Sequence, residues 1–232
     1  MIYVTSDLHG YPLEKFIDML KSVNFSQNDI LYILGDVIDR GKDGIKLLKW
    51  CMQQDNVEFI LGNHEAMLLS CDFLFDEITD SSIASLNGKK LDIFSNWQAN
   101  GGAVTLEALS ATKKEDVKYI LEYLREAPLF EAISVGDRDF ILCHSGLGNF
   151  SKDKKLSQYT PHELLRTRPT LYTDYFDNGI TVIFGHTPTV FLGEKYTRRA
   201  CFSETWINID TGAALGYAPM LLRLDDMKAF YF

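Results

Sequence analysis

The sequence predicts an α/β fold with parallel strands, and three observations predict it. Apolar runs of strand length alternate with stretches of helical spacing through the first 61 residues. The chain turns strand-rich again after about residue 128. Short glycine-punctuated motifs carrying Asp, His or Asn follow the apolar runs directly. In order, Ile2 to Ser6 reads as a strand. Tyr11 to Val23 reads as a helix through Leu13, Phe16, Ile17 and Leu20. Asp29 to Leu34 is a second buried strand, Ile45 to Met52 a helix with Ile45, Leu48 and Met52 on one stripe, and Val57 to Leu61 a third strand. This β-α-β-α-β order implies parallel strands with right-handed crossovers, and in such sheets the chemistry lies beyond the carboxyl ends of the strands.

Residues from about 66 to 127 read as a helical insertion containing Trp97, Gly101-Gly102 and the run Lys114 to Arg125. Strands then follow at Leu129 to Val135 and Asp139 to Cys143, joined by a hairpin turn at Gly136-Asp137. More are expected at Thr181 to Phe184, Trp206 to Ile209, Pro219 to Leu224 and Lys228 to Phe232, with Asp225-Asp226 turning between the last two. Thr160-Pro161-His162-Glu163 carries a cap, a first-turn proline and a capping-box glutamate, so a helix starts there and ends near Arg166 or Thr167. No repeat or linker divides the chain, which is expected to form one domain over residues 1–232.

Composition narrows the function. The 232 residues are 46% hydrophobic, enough to fill a core. No apolar stretch is long enough to cross a bilayer. The opening Met1 to Asp7 has no basic region and reads as a strand rather than a signal peptide. Cys51, Cys71, Cys143 and Cys201 are scattered without a CxxC pair, as expected of free buried thiols in a reducing, cytoplasmic setting. A formal net charge of −9 argues against a general nucleic-acid binder. Cys143 has Asn149, not arginine, six positions on, so the Cys-x5-Arg arrangement of a phosphocysteine mechanism is missing.

The motifs carry the chemistry. They are Asp7-Leu8-His9-Gly10, Gly35-Asp36-Val37-Ile38-Asp39-Arg40-Gly41, Gly62-Asn63-His64-Glu65, His144-Ser145-Gly146 and Gly185-His186-Thr187. Asp, His and Asn with few cysteines nearby suit hard or borderline divalent metals. Asp7 and His9, two residues apart at a strand exit, can reach one metal if the chain stays extended. Asp36 can bridge to a second metal, which Asn63, His144 and His186 could complete. Two cations roughly 3.5–4 Å apart suit in-line displacement at phosphorus. The Arg40 guanidinium suits bidentate contact with phosphate oxygens. His64 is placed to protonate a leaving alkoxide, and Asp39 to orient it. Glu65 reads as structural, and Trp97 as packing rather than substrate stacking.

This motif order resembles the phosphoprotein phosphatase family of metallophosphoesterases in its compact bacterial or phage form. Ile209-Asp210-Thr211-Gly212-Ala213 also resembles that family's closing strand. The resemblance implies a four-layer α/β/β/α sandwich of the calcineurin-like metallophosphoesterase kind. It implies two divalent metal ions, most often manganese, with iron or zinc as alternatives. One ion would take Asp7, His9 and Asp36, and the other Asp36, Asn63, His144 and His186. Arg40, Asn63 and a second arginine would face the phosphate. Relatives carry a tryptophan where Arg166 stands, and Pro169 biases Arg168 toward extended chain, so Arg168 is expected to be that second arginine. The expected activity is hydrolysis of phosphomonoesters by direct attack of a metal-activated water, with phosphoserine or phosphothreonine proteins or peptides as substrates. The alternative is a hydrolase of dinucleoside polyphosphates such as diadenosine tetraphosphate. An inactive binding scaffold is disfavoured by the complete ligand set.

Overall fold

Side chains alternate across every central strand, and this alternation builds three hydrophobic layers. The computed structural model describes residues 1–77, 79–80 and 87–232. Strand β1 (Ile2–Thr5) sends Tyr3 to one face and Val4 to the other. Strands β2 (Ile30–Ile33) and β3 (Val57–Phe59) pair with it in parallel, in the order β1-β2-β3. Two antiparallel strands, β9 (Leu221–Arg223) and β10 (Lys228–Phe230), extend the other side, giving β10-β9-β1-β2-β3.

The second sheet has the order β4-β5-β6-β8-β7. It comprises β4 (Phe130–Val135), β5 (Arg138–Cys143), β6 (Ile180–Phe184), β7 (Cys201–Phe202) and β8 (Trp206–Asn208). Its core β5-β6-β8 is parallel and its edges β4 and β7 are antiparallel. The expected hairpin closes at Gly136, whose φ of 63° requires the left-handed region that glycine enters freely. The two-residue β7 was not anticipated, being too short to show any period.

Between the sheets lie Val4, Leu34, Ile60, Phe140, Leu142, Ile183, Ile207 and Leu222. The intervening residues Ile141, Cys143, Val182, Phe184 and Trp206 face outward into a second cluster. The outer face of the first sheet is covered by amphipathic helices. In α1 (Leu13–Ser22) the buried positions are Phe16, Met19 and Leu20; α2 (Gly44–Cys51) buries Ile45, Leu47 and Leu48. Then come α3 (Asn63–Ser70), α4 (Gly88–Ala99), α5 (Ala103–Ser110) and α6 (Lys114–Glu126). Helix α6 buries Val117, Ile120, Leu121 and Leu124, a helical stripe at i, i+3, i+4 and i+7. The layer over the second sheet is slight. It consists of α7 (Pro161–Leu165), which contributes Leu164, and of loop residues such as Leu147, Tyr159 and Tyr175. The α7 cap is as expected: the Thr160 hydroxyl accepts from the Glu163 N–H, and the Glu163 carboxylate accepts from the Thr160 N–H at 2.9 Å.

The arrangement is the expected α/β sandwich, with two mixed sheets and, among the described residues, seven α-helices. The part of the expected helical stretch at residues 78 and 81–86 lies outside the described residues. All four cysteines are free and buried. Among the described residues, no helix is long and apolar enough to cross a membrane.

Candidate metal centre

The parallel strands of both sheets end at one place. Asp7 and His9 follow β1, Asp36 follows β2 and Asn63 follows β3. From the second sheet, His144 follows β5, His186 follows β6 and Asp210 follows β8. Hydrogen bonds lock these ends across the seam. The His144 ring donates through Nδ1 to the Leu34 carbonyl at 2.7 Å and the His186 N–H donates to Asp7 Oδ2 at 2.9 Å, while within the second sheet the Gly185 N–H donates to the His144 carbonyl at 2.8 Å.

The backbone here is strained. Asp7, His9, Asp36, Asp39, Arg40 and His186 all have φ between 42° and 68°. They make up six of the ten non-glycine residues with positive φ among the described residues, so the left-handed conformations concentrate at this site. This corrects the expectation that Asp7 and His9 converge as alternate residues of an extended chain. They converge after the chain has left the strand, held by Asp7 N–H to Gly35 O at 3.0 Å, His9 N–H to Asp36 O at 2.9 Å and Gly10 N–H to Val37 O at 2.7 Å.

Ring hydrogen bonds set the imidazole tautomers. His9 Nδ1 faces the Ile38 carbonyl at 3.2 Å, and His144 Nδ1 the Leu34 carbonyl. A carbonyl only accepts, so both Nδ1 atoms carry the proton and both Nε2 atoms point lone pairs inward. His144 Nε2 meets Asn63 Oδ1 at 2.9 Å, His186 Nδ1 at 3.1 Å and Asp36 Oδ1 at 3.5 Å. Asp36 Oδ2 lies 3.7 Å from His9 Nε2 and 3.8 Å from His64 Nε2. Two groups of potential ligand atoms therefore share Asp36: His9, Asp36 and His64, and Asp36, His144 and His186. Asp7 stands beside the first group. Its Oδ2 is engaged by the Ser6 hydroxyl and the His186 N–H, while its buried Oδ1, 3.9 Å from His9 Nε2, has no hydrogen-bond partner among the described residues.

Asp39 and His64 form a pair, with Nδ1 to Oδ2 at 2.6 Å. The helical insertion fixes the carboxylate of that pair. The Trp97 indole N–H donates to Asp39 at 3.0 Å, and the Thr105 hydroxyl donates to it at 2.6 Å while accepting the Asp39 N–H at 3.0 Å. Trp97 is thus packing, as expected, but packing that also supplies a hydrogen bond. Trp97 and Thr105 were missed as site residues because both lie about sixty residues from their partner, outside any motif. Arg40 lays its guanidinium between two rings, 3.3 Å from His9 Nε2 and 3.2 Å from His64 Nε2. Glu65 is structural, as expected: its buried carboxylate accepts from the N–H groups of Asp36, Val37, Ile38 and Gly62. Asp210 was also missed as a site residue, although Asp-Thr-Gly after an apolar run repeats the pattern of the other motifs.

Above these groups lies a cavity of about 520 Å³. Its wall includes Arg40, Arg166 and Arg168 as well as His9, Asp36, Asn63, His64, His186 and Asp210. Both candidate arginines reach it. Arg166 ends α7, and Arg168 follows on non-helical chain with Nη1 3.1 Å from the Thr187 hydroxyl.

The charge balance fits a divalent cation. Burial raises the carboxyls of Asp7 and Asp36 well above the usual range, with Asp210 adding to the effect on Asp7 and Glu65 to that on Asp36. Burial pushes Asp39 to about 6 and Asp210 to about 7. Burial also lowers His9, takes His64 to about 3 with Arg40 adding to it, and takes His186 to about 2 with His144 adding to it. These three imidazoles are neutral at pH 7, with lone pairs available. The site therefore gathers buried carboxylates and neutral nitrogens that a cation would satisfy, and its O/N donors suit a hard or borderline ion.

Three outcomes follow. Glu65→Gln sets an amide NH₂ against backbone N–H donors and should lower stability by about 1–3 kcal/mol, read by urea denaturation; an unchanged midpoint would refute the positioning role. Saturating Mn²⁺ at about 100 times its Kd should stabilise the native chain by about 2.7 kcal/mol, and Asp36→Asn should abolish most of that gain. A melting temperature indifferent to Mn²⁺ and chelator would rule out a metal centre here. Trp97→Phe removes a hydrogen bond that lowers the Asp39 pKa, so the acid limb of its pH–rate profile should move to higher pH than in the native chain; a limb that stays put would disconnect Trp97 from Asp39.

Comparison with known proteins agrees with this geometry. The family model for calcineurin-like phosphoesterases matches residues 1–203. A symmetrical bis(5'-nucleosyl)-tetraphosphatase of Buchnera aphidicola subsp. Baizongia pistaciae is 28% identical over 147 residues, covering 62% of this chain and 43% of the relative. One from Acidovorax sp. strain JS42 is 25% identical over 199 residues, covering 83% and 59%. The chain thus spans about half the length of these curated relatives. Among solved structures, one proposed to be a diadenosine tetraphosphatase superposes with a TM-score of 0.63 at 17% identity, covering 100% of this chain and 92% of the other. A cold-active protein tyrosine phosphatase superposes at 0.58 and 15% identity, covering 99% and 78%. The family match, the shared sandwich and the paired His/Asp clusters lead to one assignment: the chain belongs to the calcineurin-like phosphoesterases.

Proposed function

We propose that this chain hydrolyses dinucleoside polyphosphates, opening a tetraphosphate bridge at its centre to release two nucleoside diphosphates. The observation that carries the reading is the placement of Arg40, Arg166 and Arg168 around one cavity above the His/Asp clusters. A monoester dianion needs fewer cationic partners than a bridge of four phosphates, and the guanidinium fork suits bidentate contact with each phosphoryl group. The chain's charge of −9 by itself disfavours such a substrate. Local field outweighs total charge at a cavity rimmed by arginines. The names of the curated relatives support the same substrate class. The protein serine/threonine phosphatase reading, first choice on the motifs alone, becomes second, because the motifs serve both substrates equally.

In this reading Asp7, His9 and Asp36 would hold one metal ion, and Asp36, Asn63, His144 and His186 the other. Bound there, the ions would polarise a phosphoryl oxygen and lower the pKa of a water. Arg40 turns from the imidazoles to the phosphate, assisted by Arg168 and Arg166. His64 would serve the leaving group once its Nε2 carries a proton, with the Asp39 carboxylate at Nδ1 orienting the ring. A nucleoside diphosphate is a better leaving group than a serine alkoxide and draws less on that proton.

Chromatography of diadenosine tetraphosphate digests with Mn²⁺, run beside phosphate release from a phosphoserine peptide, tests the substrate class. ADP should be the sole nucleotide product, with kcat/KM exceeding that on the peptide. Higher kcat/KM on the peptide would return the chain to the protein phosphatases. His64→Asn should lower kcat on the peptide by about 10²–10⁴, the usual contribution of a general acid, and on p-nitrophenyl phosphate by much less. Equal fractional losses on both would remove His64 from the acid role.

A further inference from the structure

We propose that Phe191, assisted by Leu215, is a stacking platform for a nucleobase at the rim of the phosphate cavity. The inference deepens the dinucleotide reading and rests on it for the identity of the ligand. Two 3₁₀ turns, Thr189–Leu192 and Ala213–Leu215, each contribute one large apolar side chain to the wall that also holds Arg40, Arg166 and Arg168. Phe191 is 70% exposed and Leu215 47%, so neither serves the core. Pro188 and Ala214 continue the same apolar stretch of wall.

Both turns are held firmly. Thr189 is fully buried; its N–H donates to the Asp210 carbonyl at 2.9 Å and its hydroxyl to the Tyr196 carbonyl at 3.0 Å. The second turn is bracketed by Gly212 and Gly216, with φ of 93° and 86°, and the Gly212 N–H donates to Asp210 Oδ1 at 2.9 Å. Asp210 thereby ties both turns to the end of β8. Leaving a phenyl ring in water forgoes the burial that normally stabilises it. A ring held out on an anchored turn, in a cavity whose remaining wall is cationic and polar, matches a ligand with an anionic chain and a flat apolar end. A nucleotide has both. Because any base offers a π-face, this platform would discriminate little between bases.

The test titrates ADP and, separately, inorganic pyrophosphate into the Mn²⁺-loaded chain by calorimetry. The native chain should bind ADP at least about tenfold more tightly than pyrophosphate, and Phe191→Ala should weaken ADP by about 5- to 150-fold, the range for one base on an aromatic ring, while pyrophosphate changes by less than about twofold. Phe191→Trp should keep the ADP affinity and show quenching of its indole fluorescence on binding. Equal affinity for ADP and pyrophosphate in the native chain, or ADP affinity unmoved in Phe191→Ala, would overturn the platform. Diadenosine tetraphosphate hydrolysis measured in parallel separates the two ideas. Phe191-dependent ADP binding without hydrolysis leaves the platform and removes the dinucleotide reading. Hydrolysis with Phe191-independent ADP binding does the reverse.

Discussion

The site depends on one buried carboxylate that touches no substrate atom in the proposed reaction. Glu65, on the first turn of α3, accepts N–H groups from Asp36, Val37, Ile38 and Gly62 at 2.8 to 3.2 Å. Four donors on one carboxylate leave the β2 exit loop little freedom, and the same contacts seat the start of α3 against it. Asp36, Asn63 and His64 are thereby placed by a single side chain. The fit is tight: a Cβ on Gly62 would collide with Asp36 and with Glu65 itself, so glycine is required by close approach.

The second requirement is that two sheets present their carboxyl ends to each other. Each sheet alone supplies an incomplete set: Asp7, His9, Asp36 and Asn63 from the first, His144, His186 and Asp210 from the second. The ring of His144 bridges them, bonded to Leu34 behind and facing Asn63 and His186 in front. The apolar layer between the sheets makes this registry stable, because burying Val4, Ile183 and Leu222 together holds the strands that carry the ligands. The helical insertion adds a third support by delivering Trp97 and Thr105 to Asp39.

Charge is layered from floor to mouth. The floor holds buried carboxylates and imidazoles that burial keeps neutral, an arrangement suited to cations. The cavity wall above holds three guanidiniums suited to anions, together with the apolar side chains of Phe191 and Leu215. This arrangement, which the overall charge of −9 conceals, fits phosphoester chemistry.

Much of this was legible in the sequence. The β-α-β-α-β start, the later strands, the α7 capping box and the gathering of Asp7, Asp36 and Asn63 at one sheet edge all follow from local patterns, since hydrophobic period and turn chemistry are properties of neighbouring residues. Tertiary structure alone decided the rest. The left-handed backbone at Asp7 and His9 arises from hydrogen bonds to the β2 exit loop, almost thirty residues away in the chain. Trp97 and Thr105 find Asp39 only because the insertion folds back over the site, 58 and 66 residues downstream. Arg166 and Arg168 both line the cavity, where sequence reasoning chose one, because a short helix ending at Leu165 turns both side chains toward the same space. A motif specifies which atoms can bind a phosphoester; how many cations surround it depends on contacts between residues far apart in the chain, which local pattern does not encode.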